Sequence, residues 1–162
     1  MLQRLKDAGT KIHTYVDGLC ASAGTFILMM GDDINLYESS MIMIHKPLGY
    51  CYGNAIDFQK YIDLLDTVEN STMIPLYMKK SKVDKEKLKE LINEESWLGA
   101  KDTAEIFNIN VLEEQKQIAA CVSDLFKNYK NVPQSLKNVF EKTQEPKFDY
   151  SNYEKRLLTI KK

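Results

Sequence analysis

Two short segments of the chain hold residues whose types and spacing could do chemistry. The first is Cys20-Ala21-Ser22-Ala23-Gly24, which follows a stretch of strand formers and opens a run of apolar residues. A serine in the turn between a strand and a helix N-terminus sits where helical N–H groups are unpaired and the peptide dipole is positive. That place suits a nucleophile that generates an oxyanion. Its small neighbours let a peptide backbone come close and leave the Ala23 N–H available to the developing negative charge. The segment differs from the G-x-S-x-G nucleophile elbow by Cys20 at the first glycine. The second segment is Met41-Ile42-Met43-Ile44-His45-Lys46-Pro47, a histidine leaving an apolar strand just before a proline-stopped loop. A general base for serine must be neutral near pH 7 and fixed in orientation, and a histidine there meets both requirements. Each segment alone has a plainer explanation, a helix-capping serine and a surface histidine. The other histidine, His13, lies mid-strand and reads as packing. Cys20 or Cys51 as nucleophile with His45 as base ranks well below Ser22, because Cys51 sits in a Gly-flanked loop and Cys20 precedes the turn.

The elements that must position these residues follow from patterning. The opening residues, with Leu2 and Leu5 three apart among charges and then Gly9, read as the last turns of a helix and its stop. Alternation over 11–16 predicts a strand closed by Asp17-Gly18. Residues 22–30 are too apolar for a surface helix and predict a buried one. Short strands follow at 34–37 and 41–44. From Asn54 to about Tyr77, Phe58, Ile62, Leu65 and Val68 recur at helical spacing and predict a long amphipathic helix interrupted near Pro75. Residues 84–93 read as a charged helix capped by Asp84, Trp97-Leu98-Gly99 as a link, 101–107 as a helix and 110–112 as a short strand. Residues 113–130 read as helical, and Pro133 starts a helix to about residue 142.

With 162 residues, 44% hydrophobic and 28% charged, the chain suffices for one domain with a real core. Its 23 acidic and 22 basic residues offer no overall field for a polyanion, so nucleic acid is not an expected partner. No stretch approaches the roughly 20 apolar residues of a membrane span, and the first residues lack a signal-peptide core. Three scattered cysteines fit neither a disulfide scaffold nor a CxxC metal site. The expectation is a cytoplasmic protein without metal or cofactor. The charge balance is itself a sum: residues 1–126 hold 13 basic and 19 acidic side chains, whereas residues 127–162 hold nine and four. The chain is therefore divided into a core, 1–126, and a basic extension, 127–162.

Together, Gly18-Leu19-Cys20-Ala21-Ser22-Ala23-Gly24 and Ser39-Ser40-Met41-Ile42-Met43-Ile44-His45-Lys46-Pro47 resemble the Clp-type serine proteases, in order and in spacing, over roughly residues 11–112. The resemblance implies an α/β fold of ClpP/crotonase-like layered β-sheets with flanking helices and a protruding helical handle, here at about 54–80. It implies a catalytic Ser22 and His45, with Ala23 as an oxyanion donor. The family's third residue, usually Asp, precedes an aromatic by two positions, and Glu95-Ser96-Trp97-Leu98-Gly99-Ala100 places Glu95 there. Glutamate can orient histidine if its backbone is set back. Glu94 and Asp102 are close enough to compete for the role. Family members also carry a Pro-Gly-Gly segment upstream of the first helix that completes the oxyanion hole. This sequence begins after that point, so the expectation is an N-terminally incomplete core with a loss on the order of 2.7 to 4 kcal/mol in transition-state stabilisation.

Glu in place of Asp, the turn Tyr37-Glu38-Ser39-Ser40 and the basic extension look most like the branch that matures phage and prophage heads. That implies an endopeptidase cutting phage scaffold or capsid protein without ATP. The alternatives are an ATPase-partnered Clp subunit in protein turnover, and a non-catalytic assembly protein on the same scaffold. Tyr50, Tyr52, Phe58, Tyr61 and Tyr77 around the handle suggest interface area for a ring-shaped homo-oligomer. An α/β-hydrolase is excluded by order, since its acid precedes its histidine and several strands precede its serine.

Overall fold

The computed structural model describes residues 2–113 and 128–137. The chain divides into two compact units, Met1–Val132 and Pro133–Lys162, and of the second only 133–137 are described. In the first unit, helix α1 (Leu2–Asp7) ends where Gly9 takes a φ of 81°, a left-handed conformation that glycine adopts without Cβ strain. The N–H groups of Gly9 and Thr10 close that end on the carbonyls of Lys6 and Leu5, at 2.8 and 3.0 Å.

Strands β1 (His13–Val16) and β2 (Leu19–Ala21) follow one another across Asp17-Gly18 but enter different sheets. Helix α2 (Gly24–Met29) then crosses over, and β3 (Asp33–Tyr37) and β4 (Met41–Ile44) return parallel to β1 and β2 respectively. One helical crossover thus builds two parallel pairs. Each sheet gains a third strand: β6 (Asn110–Leu112) lies parallel to β3, and β5 (Ser96–Gly99) antiparallel to β4. The result is the α/β arrangement of two small sheets with flanking helices that the sequence implied. The core joins both sheets through Leu28 and Met29 of α2, Leu36 of β3, and Ile42 and Ile44 of β4.

Helix α3 (Ala55–Val68) starts in a capping box: Asn54 Oδ1 accepts from the N–H groups of Ile56 and Asp57, and the Asp57 carboxylate accepts from the Asn54 N–H. A π-helical turn (Glu69–Met73) links it to α4 (Ile74–Met78), and α5 (Lys85–Asn93) and α6 (Ala100–Ile106) flank β5. Asp84 caps α5 through the Lys87 N–H, as its position predicted.

The structure corrects several expectations. The long helix is interrupted near Pro75 as expected, but by a π-turn at Glu69–Met73 that ends just before the proline rather than by a break in the chain direction. Trp97-Leu98-Gly99 is no link but part of β5, and β2 is a strand where only small residues ahead of a helix were read. Both are strands by pairing with β4 rather than by local propensity. Tyr77 contributes to the core, not to an interface: it is buried against Phe26 and Phe107, and its hydroxyl lies 2.6 Å from Thr25 Oγ1. The apolar positions of α3 behave oppositely. No residue of α3 is buried, and Ile56, Phe58, Ile62 and Leu64 are exposed beside Leu48, Tyr50 and Tyr52. Of the helix expected over 113–130, residues 114–127 lie outside the described residues. So do 138–142 of the helix expected from Pro133, whose first turn is present at 134–137.

Candidate active site

The sheet β2-β4-β5 explains how residues far apart in sequence meet. In the parallel register Ala21 stands opposite Met43, and the Ser22 N–H donates to the Met43 carbonyl at 2.9 Å. Ser22 and His45 are the residues just past the C-terminal ends of β2 and β4. In the antiparallel register Ile44 stands opposite Ser96, so the next pair outward is His45 and Glu95. All three expected site residues therefore emerge at one end of one sheet.

Ser22 Oγ lies 2.7 Å from His45 Nε2. Ser22 adopts a φ of 55°, and the turn is held on both sides of it. Its carbonyl accepts from Thr25 Oγ1 at 2.6 Å and from the Thr25 N–H at 3.0 Å, while its N–H is tied to β4. Ala23 next to it is exposed, in the cap position of α2, and among the described residues its N–H has no hydrogen-bond partner. Burial lowers the pKa of the half-buried His45 below the ordinary 6.5, and the Glu95 charge opposes that effect only in part. The imidazole is thus neutral at pH 7 and able to accept a proton.

Glu95 is half-buried and, like Ser22, takes a left-handed φ, 54°. Ser22 and Glu95 are the only non-glycine residues with positive φ among the described residues. Backbone strain of this kind, about 1 to 3 kcal/mol at each position, gathers at functional sites. The carboxylate lies near enough to His45 to act on its charge, but it makes no hydrogen bond to it. Glu95 Oε1 accepts instead from the backbone N–H groups of Lys130 and Asn131, both at 2.8 Å, and from Trp97 Nε1 at 3.4 Å. The competing acids do not approach His45. Glu94 is exposed and uses its backbone carbonyl to accept from Asn131 Nδ2, and Asp102 lies exposed in the first turn of α6.

Sequence reasoning missed residues 128–131. Tyr129 meets the His45 ring edge-on at 5.3 Å and the Trp97 ring at 6.0 Å. No local pattern marks this segment as part of a site, because its contacts are long-range and largely through backbone. Lys46, next to His45, pairs at 3.1 Å with the buried Glu69 carboxylate and so ties the loop after the histidine to the π-turn.

Beside Ser22 opens a cavity of about 240 Å³ lined by Phe26, Leu48, Val68, Met73 and Tyr77. On the other side of His45 runs a groove of about 870 Å³ between Trp97 and the 128–131 segment. Cys20 is not an alternative nucleophile in this setting, since burial pushes its thiol up to about 11. Among the described residues no group of three or more His, Cys, Asp or Glu is placed to hold a metal, and no helix is long and apolar enough to cross a membrane.

A serine on a strained strand-to-helix turn, facing a neutral histidine across parallel strands, is a hydrolase-like arrangement on a two-sheet α/β scaffold. The family model of the Clp proteases matches residues 2–112, and the chain belongs to that family. Its members are peptide hydrolases that act on polypeptides and are typically oligomeric. No curated protein sequence matches the chain.

Proposed function

We propose that this protein is a serine endopeptidase whose nucleophile is Ser22, whose general base is His45 and whose acid is Glu95. The observation that carries the reading is the 2.7 Å contact between Ser22 Oγ and His45 Nε2 across the β2–β4 register. Ser22 Oγ attacks the scissile carbonyl carbon as its proton passes to His45 Nε2, and the carbonyl oxygen becomes an oxyanion facing the Ala23 N–H. His45 then returns the proton to the leaving amine, giving an acyl-Ser22 ester. Water, deprotonated by the same imidazole, hydrolyses the ester and frees the serine. The charge of Glu95 stabilises the imidazolium that forms twice in this cycle. The apolar cavity beside Ser22 suits an uncharged apolar substrate side chain.

The substrate reading is phage scaffold or capsid protein, cut without ATP by a ring-shaped homo-oligomer. It is supported by the glutamate acid, the basic extension and the exposed apolar face of α3. A serine-directed fluorophosphonate probe tests the chemistry: the parent protein is expected to label, and Ser22→Ala and His45→Ala to lose labelling. An unlabelled parent of intact oligomeric state would sink the enzymatic reading in favour of an assembly protein. Cleavage of a purified scaffold or capsid protein without nucleotide tests the substrate.

A further inference from the structure

The segment that holds Glu95 lies outside the 2–112 stretch matched to the Clp proteases. Two consecutive backbone N–H groups, those of Lys130 and Asn131, converge on one carboxylate oxygen at 2.8 Å, and Asn131 Nδ2 adds a bond of 2.6 Å to the neighbouring Glu94 carbonyl. Tyr129 fills the space between the rings of His45 and Trp97. Asn128 and Tyr129 line the cavity beside Ser22, while Asn128, Lys130 and Asn131 line the groove on the far side of His45. The segment is therefore a wall shared by both openings of the site.

The three donors to the Glu95 carboxylate, the N–H groups of Lys130 and Asn131 and Trp97 Nε1, all use Oε1. Oε2 makes no hydrogen bond among the described residues, and neither does His45 Nδ1, whose partner nitrogen is engaged with Ser22. One oxygen is anchored and the other is left for the imidazole. We propose that residues 129–131 are positioning residues for the acid: their backbone N–H pair anchors Glu95 Oε1 so that Oε2 can serve His45, with the Tyr129 ring fixing the plane of the imidazole. A glutamate has one more rotatable bond than an aspartate, and an anchor beyond the family core supplies the restraint that the longer side chain lacks. The titratable groups facing His45 are Glu95, just before β5, and Tyr129 from the 128–131 strap, while Glu94 and Lys130 line the same groove. Lys46 is engaged by Glu69.

The inference rests on Ser22 and His45 acting as proposed, and its test separates the two. Lys130→Pro and Asn131→Pro each delete one N–H, whereas Lys130→Ala keeps it. The proline variants are expected to slow fluorophosphonate labelling by about 10- to 100-fold, the scale of a misplaced catalytic group, and Lys130→Ala to stay within about twofold. In a Glu95→Gln background the proline effect should shrink to near nothing, which general structural damage would not do. A second readout needs no nucleophile. The chain has only two histidines, so His45 can be titrated by NMR with His13→Gln as the assignment control. The proline variants should lower the His45 pKa, as the carboxylate drifts away. A His45 pKa that rises with faster labelling would show that the strap diverts Glu95 from His45, and an unchanged pKa would show that it does nothing; either overturns the proposal. Should the prolines fail to fold, Glu95→Ala in the otherwise unchanged chain must speed hydrogen exchange at the Lys130 and Asn131 amides. Unchanged exchange there would equally refute it. If the parent protein does not label but the titration shift appears, the function reading fails and the strap stands.

Discussion

Replacing Ser22 by glycine and by alanine separates the cost of its conformation from the loss of its chemistry. Both variants remove Oγ and with it the bond to His45, so that term cancels between them. Both must keep the φ of 55°, because the turn is fixed through backbone: Ser22 N–H to Met43, and the Ser22 carbonyl to Thr25 twice. What differs is the Cβ, which costs an L-residue about 1 to 2 kcal/mol in the left-handed region. Against this, glycine has more freedom to lose from the unfolded chain, about 0.5 to 1 kcal/mol. Ser22→Gly should therefore be the more stable variant by about 0.5 to 1 kcal/mol, or about 1 to 4 °C in Tm for a chain of this size. Paired urea and thermal unfolding of the two variants measures the difference. The usual preference for alanine over glycine would reverse the order. If Ser22→Ala proves equally or more stable, the turn relaxes when the side chain is cut, and strain held by the backbone is the wrong account. Glu95, at a φ of 54°, offers an independent repeat, with Glu95→Gly expected to exceed Glu95→Ala.

The burial of His45 and the packing of the α2 crossover lead to three further expected outcomes. Since burial lowers the His45 pKa from 6.5, probe labelling should be flat through neutral pH and fall on acidification with a midpoint below 6.5; a midpoint above 6.5 would contradict the burial argument. Because the unfolded chain binds the proton more readily, stability should also decline as pH drops through 6.5 and level off below the folded pKa, and a His45→Gln variant should lack that component. Gly31→Ala should destabilise by about 1 to 3 kcal/mol in denaturant unfolding. A Cβ there would collide with Thr14 Oγ1 and sit 3.0 Å from the Asp33 carbonyl, between α2 and the β1–β3 pair, and unchanged stability would mean that this crossover is looser than it looks.

What the sequence makes legible is what local patterning encodes. The strand at 41–44, the cap at Asp84, the stop at Gly9 and the candidacy of Ser22 and His45 depend on residue type and near neighbours. The strands β2 and β5 were misread because three or four residues ending in small side chains carry no period. They are extended only because β4 offers them unpaired backbone on both sides. The long helix was legible as a helix, but not the π-turn within it, since one extra residue per turn leaves the apolar spacing almost unchanged. Nor was the fate of its apolar face. Spacing gives a stripe, and cannot say whether the stripe meets its own core, as Tyr77 does, or is left exposed, as Phe58 and Ile62 are.

The central strand β4 is where fold and site depend on each other most tightly. Its residues Ile42, Met43 and Ile44 are fully buried on both faces of the strand, so sliding by one residue against β2 or β5 would draw the polar His45 into the core or push an apolar side chain out of it. The same register that buries them sets Ser22 beside His45 on one flank and Glu95 beside it on the other. Hydrophobic burial thus fixes the geometry of three polar residues that make little stabilising contact of their own. The left-handed residues then do what a strand cannot. Each falls at the first position beyond an outer strand, turning Ser22 toward the imidazole and carrying the Glu95 side chain to the strap at 130–131. The sheet supplies proximity, and the two strained turns supply direction. The site needs both, since parallel and antiparallel neighbours of one strand end would otherwise point their side chains along the pleat rather than at each other.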